Sequence, residues 1–397
     1  MSIFNSLGSN YSASEIWRAF FGIGSKTATQ ELTGELEKTY AGKALLTYKG
    51  REALQLAVKL SDLPKGSAVA INGFTCYAVY RAVTYAGCEA EFVDIEPGGL
   101  QFSATQLEQA VSKNAKVKAV IIQNTLGVPC DIAGIEKVCK EHGLVLIEDL
   151  AHGVKTKYAD GREVGTVGDF AMLSFGRDKL IDAVSGGALV VRTGKYQKLD
   201  QFRLSKPPAS ARMRDCLYPI LTWKVRVFYG IFGIGKLLHS LFKKLGLLSR
   251  SVDAEYYEGH AISAWQARLA LNQFKDLSSE LSRRQNLAKV YADNFDSSVQ
   301  LLASSKLAKS SCLRFPAVVK DRDKVFAELA KQCIYITDTW YDTPIAPPRY
   351  MSATTYKTGQ CPNAEKLCRQ IINLPTHRQI TPGLAQKISE VINQCQQ

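Results

Sequence analysis

The 397-residue chain predicts an α/β fold: a mostly parallel sheet covered by helices on both faces, followed by a smaller C-terminal α+β domain. Three observations predict it. Short, wholly apolar runs recur through the first half. Segments with apolar residues at helical spacing separate them. Beyond about residue 260 the alternation gives way to long helical stretches mixed with isolated strand-like pieces. Strands apolar on both faces belong in a sheet buried on both sides, and strands joined by helices run parallel. In such sheets ligands bind beyond the carboxyl ends of the strands.

The elements follow in order. "GREALQLAVKLSDL" (50–63) has helical spacing, and "SAVAING" (67–73) reads as a buried strand. "YAVYRAVTYAG" (77–87) is a helix ended by Gly87, and "EAEFVDI" (89–95) alternates like a strand. "SATQLEQAVSK" (103–113) opens on a serine cap and continues as a helix. "VKAVIIQN" (117–124), "DIAGIEKVCKEHG" (131–143) and "LVLIED" (144–149) continue the strand–helix–strand rhythm, and "FAMLSF" (170–175) is a further strand. "KPPAS" (206–210) marks a linker. From about 260 the pattern is helical, then "CLRFPAVV" and "CIYIT" alternate with helices over 324–332 and 383–394. The reading gives a large α/β domain over 1–202 with an N-terminal helical segment, an insertion over 203–255, and a small α+β domain over 256–397.

Composition narrows the class. Apolar residues make up 46% and charged residues 22%, an ordinary globular balance. Ten scattered cysteines, with no CxxC pair and no Cys/His cluster at zinc spacing, predict reduced thiols and a cytoplasmic protein without a metal site. The start lacks the basic-then-apolar pattern of a secretory signal. The net charge of +13 is uneven: residues 203–250 hold ten Lys/Arg against Asp215 alone, a local +9.

Asp149 ends a buried strand. Lys179 follows thirty residues later, in a turn after a second buried strand and before Gly186–Gly187. A strand-end carboxylate and a strand-end lysine on one sheet edge suit pyridoxal phosphate (PLP). The amine bonds the cofactor aldehyde, and the carboxylate keeps the pyridine nitrogen protonated. Plain readings stand beside this one: a solvated turn lysine, a helix-capping aspartate, a strand serine at Ser174 bonded to backbone, and a solvated Arg177–Asp178 pair.

The run "LIEDLAHG…GREVGTVGDFAMLSFGRDK….SGGALVV" resembles the DegT family of PLP-dependent sugar aminotransferases. Ser174, Phe175 and Lys179 keep that family's spacing, and Gly165, Gly168 and Asp169 supply its glycine turn. "KGREALQLAVKL", "FTCYAVYRAVTYAGCEAEFVDIE" and "PNAEKLCRQIINLPTH" match further motifs in the right order, covering about residues 30–200 and 260–395. The resemblance implies the type I PLP aminotransferase fold and a homodimer. The implied substrates are a keto-sugar, nucleotide-linked, and an amino-acid donor such as glutamate. The setting would be surface polysaccharide or glycoconjugate biosynthesis. It assigns Lys179 as the Schiff-base lysine, Asp149 as partner of the ring nitrogen, and Ser174 with the backbone of Gly50, Arg51 and Glu52 as the phosphate site. A helix N-terminus favours an anion there. His152 stands where the family usually has glutamine, near the cofactor hydroxyl. Cys76, with Tyr77 next, occupies the place of the ring-stacking aromatic. Gly259–His260 replaces the asparagine usually lent by the neighbouring subunit. The lysine argues against the branch that dehydrates sugars, which carries histidine instead. The other class of reading is a degenerate PLP- or sugar-binding member acting as a membrane-docked partner.

Residues 217–248, "LYPILTWKVRVFYGIFGIGKLLHSLFKKLGLL", interleave aromatic and leucine side chains with cations. The uncharged stretches are too short to span a bilayer. Three partners fit the pattern: an anionic membrane surface at the inner face of the membrane, a partner subunit, or a substrate diphosphate. Nucleic acid fits least, because the segment is too apolar and carries no reading motif.

Overall fold

The structure, a computed structural model, describes residues 2–194, 199–248, 258–296, 298–299, 301–302, 304–337 and 339–397. The expected boundary between 255 and 256 lies outside the described residues.

The strands are β1 (Ile3–Phe4), β2 (Lys43–Thr47), β3 (Ala68–Asn72), β4 (Thr75–Cys76), β5 (Glu89–Val93), β6 (Val117–Gln123), β7 (Val145–Asp149), β8 (Phe170–Ser174), β9 (Gly187–Val191), β10 (Arg314–Val318), β11 (Ile334–Tyr335), β12 (Ile345–Ala346) and β13 (Ile371–Pro375). The helices are α1 (Ala13–Phe20), α2 (Lys26–Tyr40), α3 (Gly50–Leu60), α4 (Tyr77–Tyr85), α5 (Ala104–Lys113), α6 (Ile132–His142), α7 (Ala209–Phe228), α8 (Ile234–Lys244), α9 (Ala264–Lys275), α10 (Leu277–Asn294), α11 (Ser304–Ala308), α12 (Arg322–Lys331), α13 (Pro362–Gln370) and α14 (Pro382–Gln396).

Seven strands form one sheet in the order β2-β9-β8-β7-β6-β3-β5. From β5 to β8 neighbours run parallel, while β9 and β2 close the other edge antiparallel. The pleat sends alternate residues to opposite faces. Val145 and Ile147 enter one core with Leu287, Phe315 and Ile371, and Leu146 enters a second with Leu36, Ile135 and Leu271. This is the expected sheet buried on both sides. The C-terminal α+β region shares the first core with α3 and α4 rather than keeping one of its own.

Local signals act as expected. Ser103 caps α5 in a reciprocal box with Gln106, Asp131 caps α6, and Gly143 ends α6 in the left-handed region at φ 63°. "CIYIT" shrinks to the two-residue β11, which pairs with β1. β2 has no counterpart among the expected strands.

The insertion is a helix pair. "KPPAS" is not a free linker, for Pro208 is the N-cap of α7. α7 packs inward through Tyr218, Thr222 and Val225, all buried. Its Asp215 accepts hydrogen bonds from Tyr48 Oη at 2.6 Å and Gln266 Nε2 at 3.0 Å. α8 lies against α7, with Gly235 close to the backbone of Tyr229.

Candidate active site

The carboxyl ends of β6, β7 and β8, the start of α3, Thr337 and residues between 339 and 349 enclose a cavity of about 410 Å³. Asp149, Lys179, Ser174, His152, Gly50, Arg51 and Cys76 all line it. Two expected residues do not. Tyr77 turns outward and stacks on Tyr350 at 4.5 Å with rings 7° apart. Glu52 turns back to accept from the Lys49 amide at 3.2 Å, which takes its charge away from any anion at the helix start. The Glu52 amide itself bonds the Lys49 carbonyl at 3.2 Å.

Consecutive acids on β7 are separated by the pleat. Glu148 points away from the cavity and is fully buried. It accepts from the amides of Gly165, Val167 and Gly168 at 2.6–2.7 Å and from Tyr158 Oη at 2.6 Å. The glycine turn is thus folded around Glu148, a structural duty. Asp149 faces the cavity, 3% exposed, and accepts from the Ala151 amide at 2.8 Å. Burial raises its pKa to about 6, against the pull of that amide and of Lys179.

Lys179 sits in a turn set by Asp182. That buried carboxylate accepts from the amides of Asp178 (2.9 Å) and Val184 (3.0 Å), from Asn10 (3.4 Å) and from Tyr11 Oη. Asp178 takes the left-handed conformation at φ 65°, which aspartate tolerates better than most residues. The amine lies 2.9 Å from His152 Nε2 and 4.5 Å from the Trp340 ring centre. Burial lowers its pKa, opposed by Cys76 and Asp149.

The opposite end is built for an anion. α3 begins on Gly50, and a Cβ there would fall 2.7 Å from Ser174 Cβ, so only glycine lets the helix start meet the strand end. Ser174 Oγ accepts from the Gly176 amide at 3.4 Å. Lys49, buried, donates to Ser185 Oγ at 2.5 Å, and burial lowers its pKa to about 8. Helix amides, a serine hydroxyl and cations at one end, an amine in the wall and a buried carboxylate fit the phosphate, aldehyde and ring nitrogen of PLP. Arg177 is not in a solvated pair. Its guanidinium lies 4.7 Å over the Tyr218 ring of α7, at the cavity wall.

Sequence reading missed Trp340 and Arg314. Trp340 stacks on His152 at 4.9 Å with planes 2° apart, its amide held by Asn373 Oδ1, and Arg314 lies 3.9 Å over its ring. No periodicity links residue 340 to residue 152. Lys49 carried a signal, being a lysine directly before the glycine that opens α3. Among the described residues no His/Cys/Asp/Glu group could hold a metal ion, and no helix is long and apolar enough to cross a membrane.

Comparison with known proteins follows the same lines. The profile of the DegT/DnrJ/EryC1/StrS aminotransferase family matches residues 28–206 and 252–393, flanking the insertion. GDP-perosamine synthase of Escherichia coli O157:H7 is 25% identical over 90% of this chain and 87% of its own. The pleiotropic regulatory protein of Geobacillus stearothermophilus is 25% identical over 86% and 82%. The Spr1654 protein of Streptococcus pneumoniae in its PLP form superimposes with a TM-score of 0.74 at 20% identity, covering 98% of this chain and 97% of that one.

The buried Asp149 carboxylate carries a stability cost with a defined pH window. Its folded pKa, near 6, lies above the usual carboxylate value. Below that usual value both states are protonated and the cost is absent. Between that usual value and 6 the unfolded chain has released its proton while the folded chain still holds it, so the cost grows with pH, and above 6, where both are ionised, the full cost applies. Asp149→Asn should therefore stabilise the cofactor-free chain at pH 7 by up to roughly 3 kcal/mol, with little effect at pH 4, and weaken PLP binding. Urea unfolding at both pH values, with a PLP titration, measures this. Equal stability of the two chains at pH 7 rules it out.

Proposed function

Because the chain belongs to the DegT/DnrJ/EryC1/StrS aminotransferase family, we propose that this cavity moves an amino group from an amino acid, glutamate by preference, to a keto-sugar carried on a nucleotide. The observation that carries the reading is the single cavity shared by Asp149, Lys179, Ser174 and the start of α3. The nucleotide-linked sugar rests on the name of the GDP-perosamine synthase relative.

PLP, when bound, supplies an electron-withdrawing ring that makes the donor α-carbon acidic. Lys179 anchors the cofactor. Its amine, when not holding the cofactor, would take the donor's α-proton and return one at the carbon that receives the new nitrogen. A lysine at its ordinary pKa is protonated at pH 7, and burial at this site moves it toward a usable base. Asp149 holds a proton on the ring nitrogen. Ser174 and the α3 amides fix the phosphate, and Trp340 and Tyr341 cover the amine's side of the cavity from water.

Lys179→Ala should abolish transamination and the visible absorbance of the lysine-bound cofactor. A variant that keeps both shows that the lysine is wrongly assigned. A wild-type chain that binds PLP but is unchanged by glutamate points to the degenerate reading, which Cys76 in the stacking place favours.

We also propose a homodimer with the cavity at its interface, since water must be excluded from an edge site open on one side. Light scattering should give twice the 43.7 kDa chain mass. A stable, active monomer defeats it.

The insertion is proposed to rest on an anionic membrane surface and to hold the cavity near a lipid-linked sugar or a membrane-bound partner enzyme. Ile234, Leu237, Leu241 and Leu245 form one exposed stripe at helical spacing on and just after α8, and Phe232 before it is fully exposed. Lys236, Lys243 and Lys244 share the helix. Each cation near an anionic surface contributes roughly 1 kcal/mol, and each well-inserted leucine about 1.5–3 kcal/mol. Deleting the segment would remove the buried Tyr218, so the test substitutes Leu237, Leu241 and Leu245 by serine. Wild type should float with anionic liposomes, less so at high salt, and the triple variant should not. No flotation of wild type at low salt, or equal flotation of both, overturns it.

A further inference from the structure

We propose that His152 is a positioning residue that holds the Lys179 amine in its uncharged, nucleophilic form by donating its Nε2–H to Nζ. The inference rests on the reading of Lys179 as the cofactor lysine and adds what makes that lysine ready.

Counting protons at two nitrogens leads to it. The Leu126 amide lies 3.1 Å from His152 Nδ1. A backbone N–H can only donate, so Nδ1 carries a lone pair and no proton. A neutral imidazole must then carry its one proton on Nε2, which lies 2.9 Å from Lys179 Nζ. An N–H facing a nitrogen needs a lone pair on that nitrogen. An ammonium has none, and an amine has one. The reverse arrangement, an ammonium donating to Nε2, would put the ring proton on Nδ1, against the Leu126 N–H. Protonating the ring fails for the same reason. Burial, with Lys179 and Arg314 adding to it, also drives the His152 pKa well below its ordinary value.

The ring is not free to turn away. It lies flat on Trp340, its own carbonyl accepts from Ser311 Oγ at 2.7 Å, and it is 3% exposed. The opposing amide is aimed deliberately. Leu126 adopts φ 56°, a left-handed conformation that a branched side chain rarely takes, within the turn Thr125–Gly127. The other groups facing the amine are Asp149 from β7, Cys76 before α4, Asp178 in its own turn and Arg314 from β10. Burial disfavours the ammonium, the carboxylates favour it and Arg314 opposes it, and His152 is the group in direct contact with the amine.

The test is made on the full chain stripped of cofactor. Trace acetylation across pH, read by mass spectrometry on the peptide bearing Lys179, gives that amine's own midpoint. In wild type it should lie at least about one unit below the exposed lysines of the same digest. His152→Phe keeps a flat ring against Trp340 and removes both nitrogens, and should raise the midpoint by about one unit, a roughly tenfold loss of free amine at pH 7. His152→Gln, whose amide can still donate, should stay near wild type. A merely structural histidine would not move this midpoint. An unchanged midpoint in the phenylalanine variant, or an ordinary lysine midpoint in wild type, overturns the proposal. Nitrogen-15 spectra of histidine-labelled wild type, assigned through the glutamine variant, need no variant stability beyond that. The Nε2–H tautomer supports the proposal, and an Nδ1–H tautomer or an imidazolium at pH 7 overturns it. Neither measurement involves PLP, so either can fail while the loss of cofactor in Lys179→Ala still stands.

Discussion

The start of α3 is pressed against the ends of β8 and β9, and the site depends on that contact. A Cβ on Gly187 would fall 2.6 Å from Gly50 Cα, and one on Gly50 would fall 2.7 Å from Ser174 Cβ. Lys49 and Gly186 pair as an isolated bridge beside them. Three consequences follow from this close approach. A helix N-terminus opens directly onto a strand-end serine, an arrangement that favours an anion before any side chain is considered. The lysine preceding the helix is carried into the interior, where burial lowers its pKa to about 8. Glu52, which would oppose an anion if it pointed forward, is used up as the cap of its own helix.

The sheet solves a second problem, that of keeping several buried carboxylates in distinct roles. Glu148 and Asp149 are neighbours in sequence and lie on opposite faces in space. The first is saturated with hydrogen bonds and organises a turn. The second has one amide and an open cavity, and its pKa is raised. Asp182, also buried, is tied to the N-terminal segment through Asn10 and Tyr11, so the lysine turn is held by a part of the chain 170 residues away. Of these three carboxylates, the one left with few partners faces the cavity, and the two with several partners carry the architecture.

What the sequence reveals and conceals follows the range of each interaction. The strands of the sheet are legible because burial on both faces demands unbroken apolar runs, and the helices between them because caps such as Ser103 and Asp131 are local. β2 is hidden because Lys43 is exposed at its start and the strand lies at the sheet edge. Asp149 and Ser174 are legible because each ends one of two neighbouring buried strands, and Lys179 because it keeps the spacing from Ser174 that the resembled family has. Trp340 is not, since only tertiary packing brings it onto His152. Tyr77 misleads for a geometric reason: it opens α4, where one step of the helix turns a side chain through about 100°, and Cys76 rather than Tyr77 reaches the cavity.

The insertion has two faces under different constraints. Inward, α7 is bonded to the foundations of the site: Asp215 to Tyr48, two residues before Gly50, and Tyr218 to Arg177, two residues before Lys179. Those contacts account for the buried Asp215 and Tyr218. They do not account for the outer stripe of α8, which the body of the chain leaves in solvent at the expense of exposed leucine and isoleucine. Nor do they account for a local charge of +9, which a purely internal role would gain nothing from and which two copies meeting face to face would feel as repulsion. Inner and outer residues lie on different helices, so changes at one should leave the other undisturbed. An element whose inner side is bonded to Tyr48 and Arg177, and whose outer side is apolar and cationic, would orient the cavity toward the surface proposed for it.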